Sequence, residues 1–168
     1  MQISSRYILS KRGRRRIIED ASKGLSEEVA ELVKEASMVE VAKVRSKDIE
    51  IVIVDKKPLF FTVKNDVFPL LIGVVKYNVR LSLPIVVVDE GAVPHVLNGA
   101  DVMVPGIVEI RGIMDKGKKV YVSDLKGRIF AVGKALMSAD EVRSSSKGRA
   151  VKNVHYAGDW LWELSLKL

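Results

Sequence analysis

The chain contains no cysteine. That single absence removes disulfides, thiolate nucleophiles and cysteine metal sites together. Histidine is almost as scarce, with only His95 and His155 present. A zinc or iron centre would have to be assembled mostly from carboxylates, against the preference of those metals. There is no GxSxG elbow, no HExxH helix and no phosphate-binding glycine loop. Catalysis at either histidine would need a nucleophile or carboxylate partner positioned beside it. No catalytic residue, no metal and no cofactor is expected, and the chain does not read as an enzyme. Long apolar runs are missing too: nothing approaches the roughly 18 to 20 residues of a membrane-spanning helix. The N-terminal stretch MQISSRYILSKRGRRR places its short apolar segment ahead of its charges, the reverse of a secretory signal. A cytoplasmic location without membrane contact is the expectation. Gln occurs once and Asn four times, whereas Lys, Glu, Val and Ile abound. That balance leans towards a thermophile.

What is abundant is positive charge, and its placement matters more than its total of +7. Residues 1–23 hold seven Lys or Arg against two acids, residues 24–81 hold nine of each sign, and residues 82–168 hold twelve against ten. The excess therefore concentrates at Lys11, Arg12, Arg14, Arg15 and Arg16. A local cluster of this kind suits a polyanion, because each phosphate it neutralises releases counterions. Arginine's planar fork also reads phosphate better than a lysine point charge. The bland alternative is a solvated charge run. Five cations in six positions repel one another, however, and sit where a helix dipole disfavours them.

The chain divides into two textures. Residues 1–80 predict a small α+β domain, with helices on one antiparallel sheet. A strand is expected over 4–9 and a helix over 11–21 with Ile17, Ile18 and Ala21 inward. A second helix follows, with Ser26 as N-cap and Val29, Leu32, Val33 and Ala36 as its apolar stripe. Strands are expected at Val39–Val44, at Ile49–Val54 (apolar enough to be central) and at Leu59–Val63 behind Pro58. Asn65-Asp66 should end the last of these, and a helix over 69–77 should start at Pro69, burying Leu70, Leu71, Val74 and Val75. Residues 81–168 show short apolar runs split by Asp89-Glu90-Gly91, Asn98-Gly99, Pro105-Gly106, Asp115-Lys116-Gly117, Lys126-Gly127 and Lys147-Gly148. That rhythm predicts a compact β barrel.

Within this second half, Val88–Ile107 is the most informative stretch. Gly91 and Gly99 would admit backbone conformations closed to other residues, and Ala92 and Ala100 would let neighbouring backbone approach. The segment's candidate RNA-binding residues are Gly91, Ala92, Asn98, Gly99, Ala100, Asp101 and Met103. On spacing alone a helix-to-strand corner without a ligand is the commoner meaning of such a segment. Lys134, Lys147 and Arg149, with Lys116, Lys118 and Lys119, could extend a positive surface. The turn Val104–Ile107 carries no charge, so RNA contact there would be by shape. Trp160 and Trp162 either plug the core or present a ring for stacking or docking.

Val88–Ile107 resembles the signature of the PUA domain, an RNA-binding module of pseudouridine synthases and archaeosine transglycosylases. Further blocks widen the likeness. Ile49–Phe61, with its Pro58-Leu59-Phe60-Phe61 turn, and Phe68-Pro69 resemble the first domain of the malignant T-cell amplified sequence family of translation factors and the matching part of ligatin. Met137-Ser138-Ala139-Asp140, Lys147-Gly148, Asn153-Val154-His155-Tyr156 and Asp159-Trp160-Leu161-Trp162 resemble its C-terminal half in order and spacing. The likeness is clear from residue 49 onward and weaker before it. It implies a pre-PUA α+β domain followed by a PUA β pseudo-barrel, in an archaeal member. The implied function is an RNA-binding factor of the small ribosomal subunit or tRNA, acting in translation initiation, reinitiation or recycling. The implied partners are rRNA or tRNA, the small subunit, and a protein with an initiation-factor-like domain. The chain departs from the family in lacking the cysteines of some eukaryotic relatives and in the density of its Lys11–Arg16 string. Two other readings stand beside this one: an RNA-gripping accessory subunit for a pseudouridine synthase or transglycosylase, and a protein adaptor working through Trp160 and Trp162.

Overall fold

The computed structural model describes residues 1–168. They fall into two compact units, Met1–Leu81 with Glu163–Leu168, and Ser82–Trp162. The sequence pattern places the whole C-terminal stretch in the second domain, whereas its end, Glu163–Leu168, groups with the first unit. No helix is long and apolar enough to cross a membrane.

In the first unit β1 (Ile3–Ile8) leads to α1 (Lys11–Gly24) and α2 (Glu27–Glu35). Both helices start on a serine cap: Ser10 Oγ accepts the Gly13 N–H and Ser26 Oγ the Val29 N–H. Each covers an orphan donor of its first turn. Ile17 and Ala21 of α1 and Val29, Ala30 and Val33 of α2 are buried. The chain then forms β2 (Val39–Val44), β3 (Ile49–Val54), β4 (Lys57–Val63), β5 (Asp66–Pro69) and the short α3 (Leu71–Val75). The five strands lie in the order β1-β2-β3-β4-β5, with every pair antiparallel. The central position of β3 agrees with its apolar sequence.

Two expectations fail here, both at proline. Pro58 lies inside β4, opposite Ile53, rather than ahead of the strand. The turn is shorter than expected because Asp55 and Lys56 both take positive φ, 46° and 70°, the geometry of a two-residue hairpin loop that matches strand twist. Pro69 closes a strand instead of opening a helix. Lys64 at φ 58° turns the chain back, and Val67 and Phe68 pair with Thr62 and Phe61 as an edge strand, where proline is tolerated. The Phe61 and Phe68 rings stack at 5.4 Å, an arrangement worth about 1 kcal/mol beyond area burial. The helix is consequently short, and Val75 is 60% exposed rather than buried.

The second unit contains β6 (Ile85–Val88), α4 (Val93–Val96), β7 (Val102–Met103), a 3-10 turn over Val104–Gly106, β8 (Ile107–Arg111), β9 (Lys119–Ser123), β10 (Ile129–Ala135), α5 (Ala139–Arg143) and β11 (Arg149–Tyr156). α6 (Trp160–Ser165) begins in it. The strand order is β7-β11-β10-β9-β6-β8. Only the β6–β9 pair is parallel. Bulges interrupt β10–β11, β9–β10, β7–β11 and β6–β8. Such irregularities bend a strand and raise its twist, curling the sheet into the expected pseudo-barrel around Val86, Val102, Val122, Ala131 and Val151. Gly133 sits at the β10–β11 bulge, where an added Cβ would lie 2.4 Å from Val151 Cγ1 and 2.5 Å from the Lys152 carbonyl oxygen. Ser138 and Glu141 form a full capping box on α5, which explains the Met137–Asp140 block physically.

Candidate nucleic-acid interface

The second unit holds a cleft of about 530 Å³. Gly91, Ala92, Ala100, Asp101 and Met103 line it together with Asp89, His95, Pro105 and Gly106. Its shape follows from backbone economy. Asp89 Oδ1 accepts the Ala92 N–H at 2.9 Å, turning the chain from β6 into α4. The Asp89 N–H donates to the Gly106 carbonyl at 2.9 Å, joining both rims. A Cβ on Gly106 would stand 3.0 Å from the Ala92 Cβ, so glycine faces alanine where two segments meet. Gly99 has φ +96° and closes α4. Gly91 does not take a positive φ, contrary to expectation. A Cβ there would find only Asp89 Oδ1, at 3.5 Å. Glycine at 91 therefore leaves open wall rather than solving a backbone problem.

The region behind the cleft is held by Asn153 and Asp101. Asn153 Nδ2 donates to the Val96 and Ala100 carbonyls at 2.9 and 3.0 Å. Asp101 Oδ1 accepts the Asn153 N–H at 2.9 Å, and Oδ2 accepts Arg149 Nη1 at 3.1 Å. Asp101 and Arg149 thus pair with each other. Met103 presents an exposed thioether side chain at 46% exposure. Asn98 and Gly99 lie exposed on the turn after α4 and do not line the cleft. Lys147 is exposed, and Lys134 is half-buried on β10 in register with Lys119 and Lys152. Pro105 and Gly106 belong to the uncharged turn expected to meet RNA by shape, whereas Asp89, His95 and Asn153 were not singled out from sequence as RNA-binding residues. For Asp89 the Asp-Glu-Gly turn was a usable signal, whereas Asn153 reaches the site only through β11 pairing.

The basic string of α1 proves to be three different things. Arg14 Nε donates to the Val33 carbonyl and Nη2 to that of Lys34, each at 3.0 Å, and Nη2 also reaches the Ala36 carbonyl. It caps the C-terminus of α2, where carbonyls lack helical partners and a cation suits the dipole. Arg16 bonds Asn65 Oδ1 and lies 4.0 Å from Asp20. Lys11, Arg12 and Arg15 are exposed, with no ion pair or hydrogen bond to their side chains.

Trp160 and Trp162 both lie in the first turn of α6. Asp159 caps that helix, its Oδ1 accepting the Trp162 N–H at 2.7 Å. Its Oδ2 accepts the Tyr156 N–H and meets His155 Nδ1 at 2.9 Å. Burial pushes this carboxyl upward. The His155 hydrogen bond and charge, then the Trp162 and Tyr156 N–H groups, outweigh burial and hold it below its ordinary value. Trp160 and Trp162 are both half-buried, so neither is the exposed ring that the adaptor reading requires.

Residues 84–157 match the PUA domain family, and residues 1–77 match the Pre-PUA-like domain family. An uncharacterized protein of Methanocaldococcus jannaschii is 39% identical, over 96% of this chain and 98% of its own length. Translation machinery-associated protein 20 of Eremothecium gossypii is 32% identical, over 84% of this chain and 81% of its own. Malignant T-cell-amplified sequence 1-A of Xenopus laevis is 34% identical, over 69% of this chain and 66% of its own. Among solved structures, a hypothetical protein of Pyrococcus horikoshii OT3 superposes with a TM-score of 0.79 at 41% identity, covering 95% of this chain and 98% of its own. A PUA domain protein of Aeropyrum pernix K1 superposes at 0.82 with 28% identity, covering 96% and 91%.

Proposed function

The chain belongs to the family of translation machinery-associated protein 20 and malignant T-cell-amplified sequence proteins, and from that membership we propose that it is a non-catalytic, cytoplasmic RNA-binding factor of the translation apparatus. Its RNA is that of the small ribosomal subunit or a tRNA, and it works in initiation, reinitiation or recycling. The observation that carries the reading is the trio Lys11, Arg12 and Arg15, exposed and unpaired beside two arginines that are engaged. Cations left without acidic partners on one helix supply attraction to phosphate. The PUA-domain cleft supplies little charge, because Asp101 and Arg149 neutralise each other. It selects the RNA shape that fits against Gly91, Ala92, Ala100 and Met103.

The test is RNA affinity as a function of salt. Replacing Lys11, Arg12 and Arg15 together by Ala should flatten the slope of log K against log salt by about 0.7 to 0.9 for each phosphate that is no longer neutralised. A slope unchanged by the triple substitution, or no RNA binding at low salt, refutes the reading. Likeness over 84% of the chain to a protein named for the translation machinery favours this role over an accessory role in RNA modification. Co-purification separates the two: ribosomal subunits support it, and a transglycosylase or pseudouridine synthase overturns it.

A further inference from the structure

The first unit contains a cleft of about 400 Å³ at the end of the sheet beside α1. Strand register shows why it is unusual. One row across the sheet face reads Tyr7, Val41, Val52 and Phe60 from β1 to β4. The next row on the same face reads Ser5, Lys43, Glu50 and Thr62. Three of the first row are buried apolar residues, as a helix-covered sheet face should be. The second row is polar throughout, although Thr62 is only 3% exposed. Ser5 and Lys43 are exposed and Glu50 is half-buried, so this row meets solvent at the cleft and Thr62 is its buried polar member.

The groups that line this cleft have a coherent chemistry. Tyr7 offers an aromatic ring at 41% exposure, and Lys43 Nζ lies 5.7 Å from its centroid. Asp48 and Glu50 supply carboxylate acceptors, Glu50 with Lys43 Nζ 3.8 Å away, while Thr62 supplies a hydroxyl and Arg16 of α1 a cation. Helical spacing continues the path outward, because Arg12 stands one turn before Arg16 and three residues before Arg15. Arg12 therefore stands at the flank of the cleft, whereas Lys11 and Arg15 lie on the side of α1 away from Gly13, Ile17 and Asp20, which line it. Phosphates held on α1 would bring an adjoining nucleotide to its mouth.

We infer that this cleft receives one unstacked base of single-stranded RNA, and that its carboxylates favour guanine. The base lies against Tyr7, since a stacking platform beside a basic track is how single strands are held. Guanine's Watson–Crick edge offers two adjacent N–H donors, which match Asp48 and Glu50 as acceptors. Uracil offers one donor between two carbonyls, and those carbonyls face carboxylates unfavourably. This inference rests on the reading that α1 docks RNA, and it adds a base-selective subsite to that contact.

The test uses two RNA oligonucleotides of about eight nucleotides, within the usual range of single-strand site sizes. One is oligouridine and the other carries a single central guanosine. Fluorescence anisotropy is measured on the full chain at several salt concentrations. The guanosine oligonucleotide should bind about tenfold more tightly, the order of one bidentate contact to a base edge. Tyr7→Ala should remove about that factor without changing the salt slope, and Tyr7→Phe should restore it. Glu50→Gln should abolish the preference for guanosine while oligouridine binding persists. Equal affinity for the two oligonucleotides overturns the inference. So does a Tyr7→Ala protein that matches the wild type while the Lys11, Arg12 and Arg15 substitutions still flatten the slope; docking on α1 then stands and the base subsite falls. Absence of binding to either RNA at low salt removes both. If Tyr7→Ala weakens an arginine-bearing peptide and not the oligonucleotides, the cleft is a peptide site and the inference is again overturned.

Discussion

Arg14→Ala separates structure from function within one helix. In the wild type, the Arg14 guanidinium spans the Val33, Lys34 and Ala36 carbonyls. α2 ends at Glu35 with Ala36 in extended conformation, φ −62° and ψ 141°, so no left-handed glycine closes the helix in the usual way. Removing the side chain leaves these acceptors without their donor. A hydrogen bond from a charged group contributes about 1.5 to 3 kcal/mol net. The three bonds share one side chain and are not additive, and the Lys34 bond is exposed to competing water. A total loss of about 2 to 3 kcal/mol is the reasonable sum. For a domain of this size each kcal/mol lowers Tm by roughly 4 to 8 °C, so a fall of about 10 to 20 °C is expected. Thermal unfolding by circular dichroism measures it. Arg14→Lys should fall between, since an ammonium keeps the charge but cannot span the carbonyls as a fork. RNA binding measured well below the new Tm should keep the wild-type salt slope, because this guanidinium faces α2. A Tm within a degree or so of the wild type, combined with a slope flattened by about one unit, would show that Arg14 contacts phosphate and that the cap contributes nothing.

Three further outcomes follow from particular contacts. Gly133→Ala drives a methyl group into Val151 and the Lys152 carbonyl and should cost about 3 kcal/mol; a urea midpoint equivalent to less than about 0.5 kcal/mol of change would contradict the bulge geometry. Asn153→Ala leaves the Val96 and Ala100 carbonyls without their side-chain donor; it should cost about 1 to 3 kcal/mol, speed amide exchange at Gly99 and Ala100 and weaken RNA binding, and unchanged exchange there would count against Asn153 as the support of the cleft. Asp159 has a folded-state pKa below its unfolded value of 3.8, so its contribution is complete above that value and is lost as pH falls through the folded one. The stability gap between wild type and Asp159→Asn should accordingly be constant near neutral pH and shrink in acid. A gap that widens in acid would reverse the sign and refute the cap-and-histidine account.

Much of the fold was readable because local and tertiary signals agreed. Ser26 stands where α2 begins, the apolar stripe of that helix is turned inward, and Ile49–Val54 is apolar enough to be central. β5 was unreadable because its four residues lack room for alternation and because Pro69 suits a helix start as well as a strand end. The parallel pairing of β6 with β9 was equally hidden, since both strands are uniformly apolar and the separation between them carries no register. Gly91 and Gly99 look alike in sequence, but only Gly99 has the left-handed backbone; the other leaves space, and space is not encoded locally.

The basic string shows the same limit in its sharpest form. Five cations in six positions are indistinguishable by charge, yet their fates are set by what each turn of α1 faces. Arg14 points at the end of α2, so its charge is matched to that helix and adds to stability. Arg16 points at Asp20 and Asn65, at the rim of the polar cleft. Lys11, Arg12 and Arg15 point at water, where mutual repulsion is relieved only by an external anion. A total of +7 therefore overstates the charge that this helix can offer to RNA. The salt slope of binding should report the smaller number of cations left unpaired by folding, and a slope requiring all five would mean that Arg14 abandons its cap on binding.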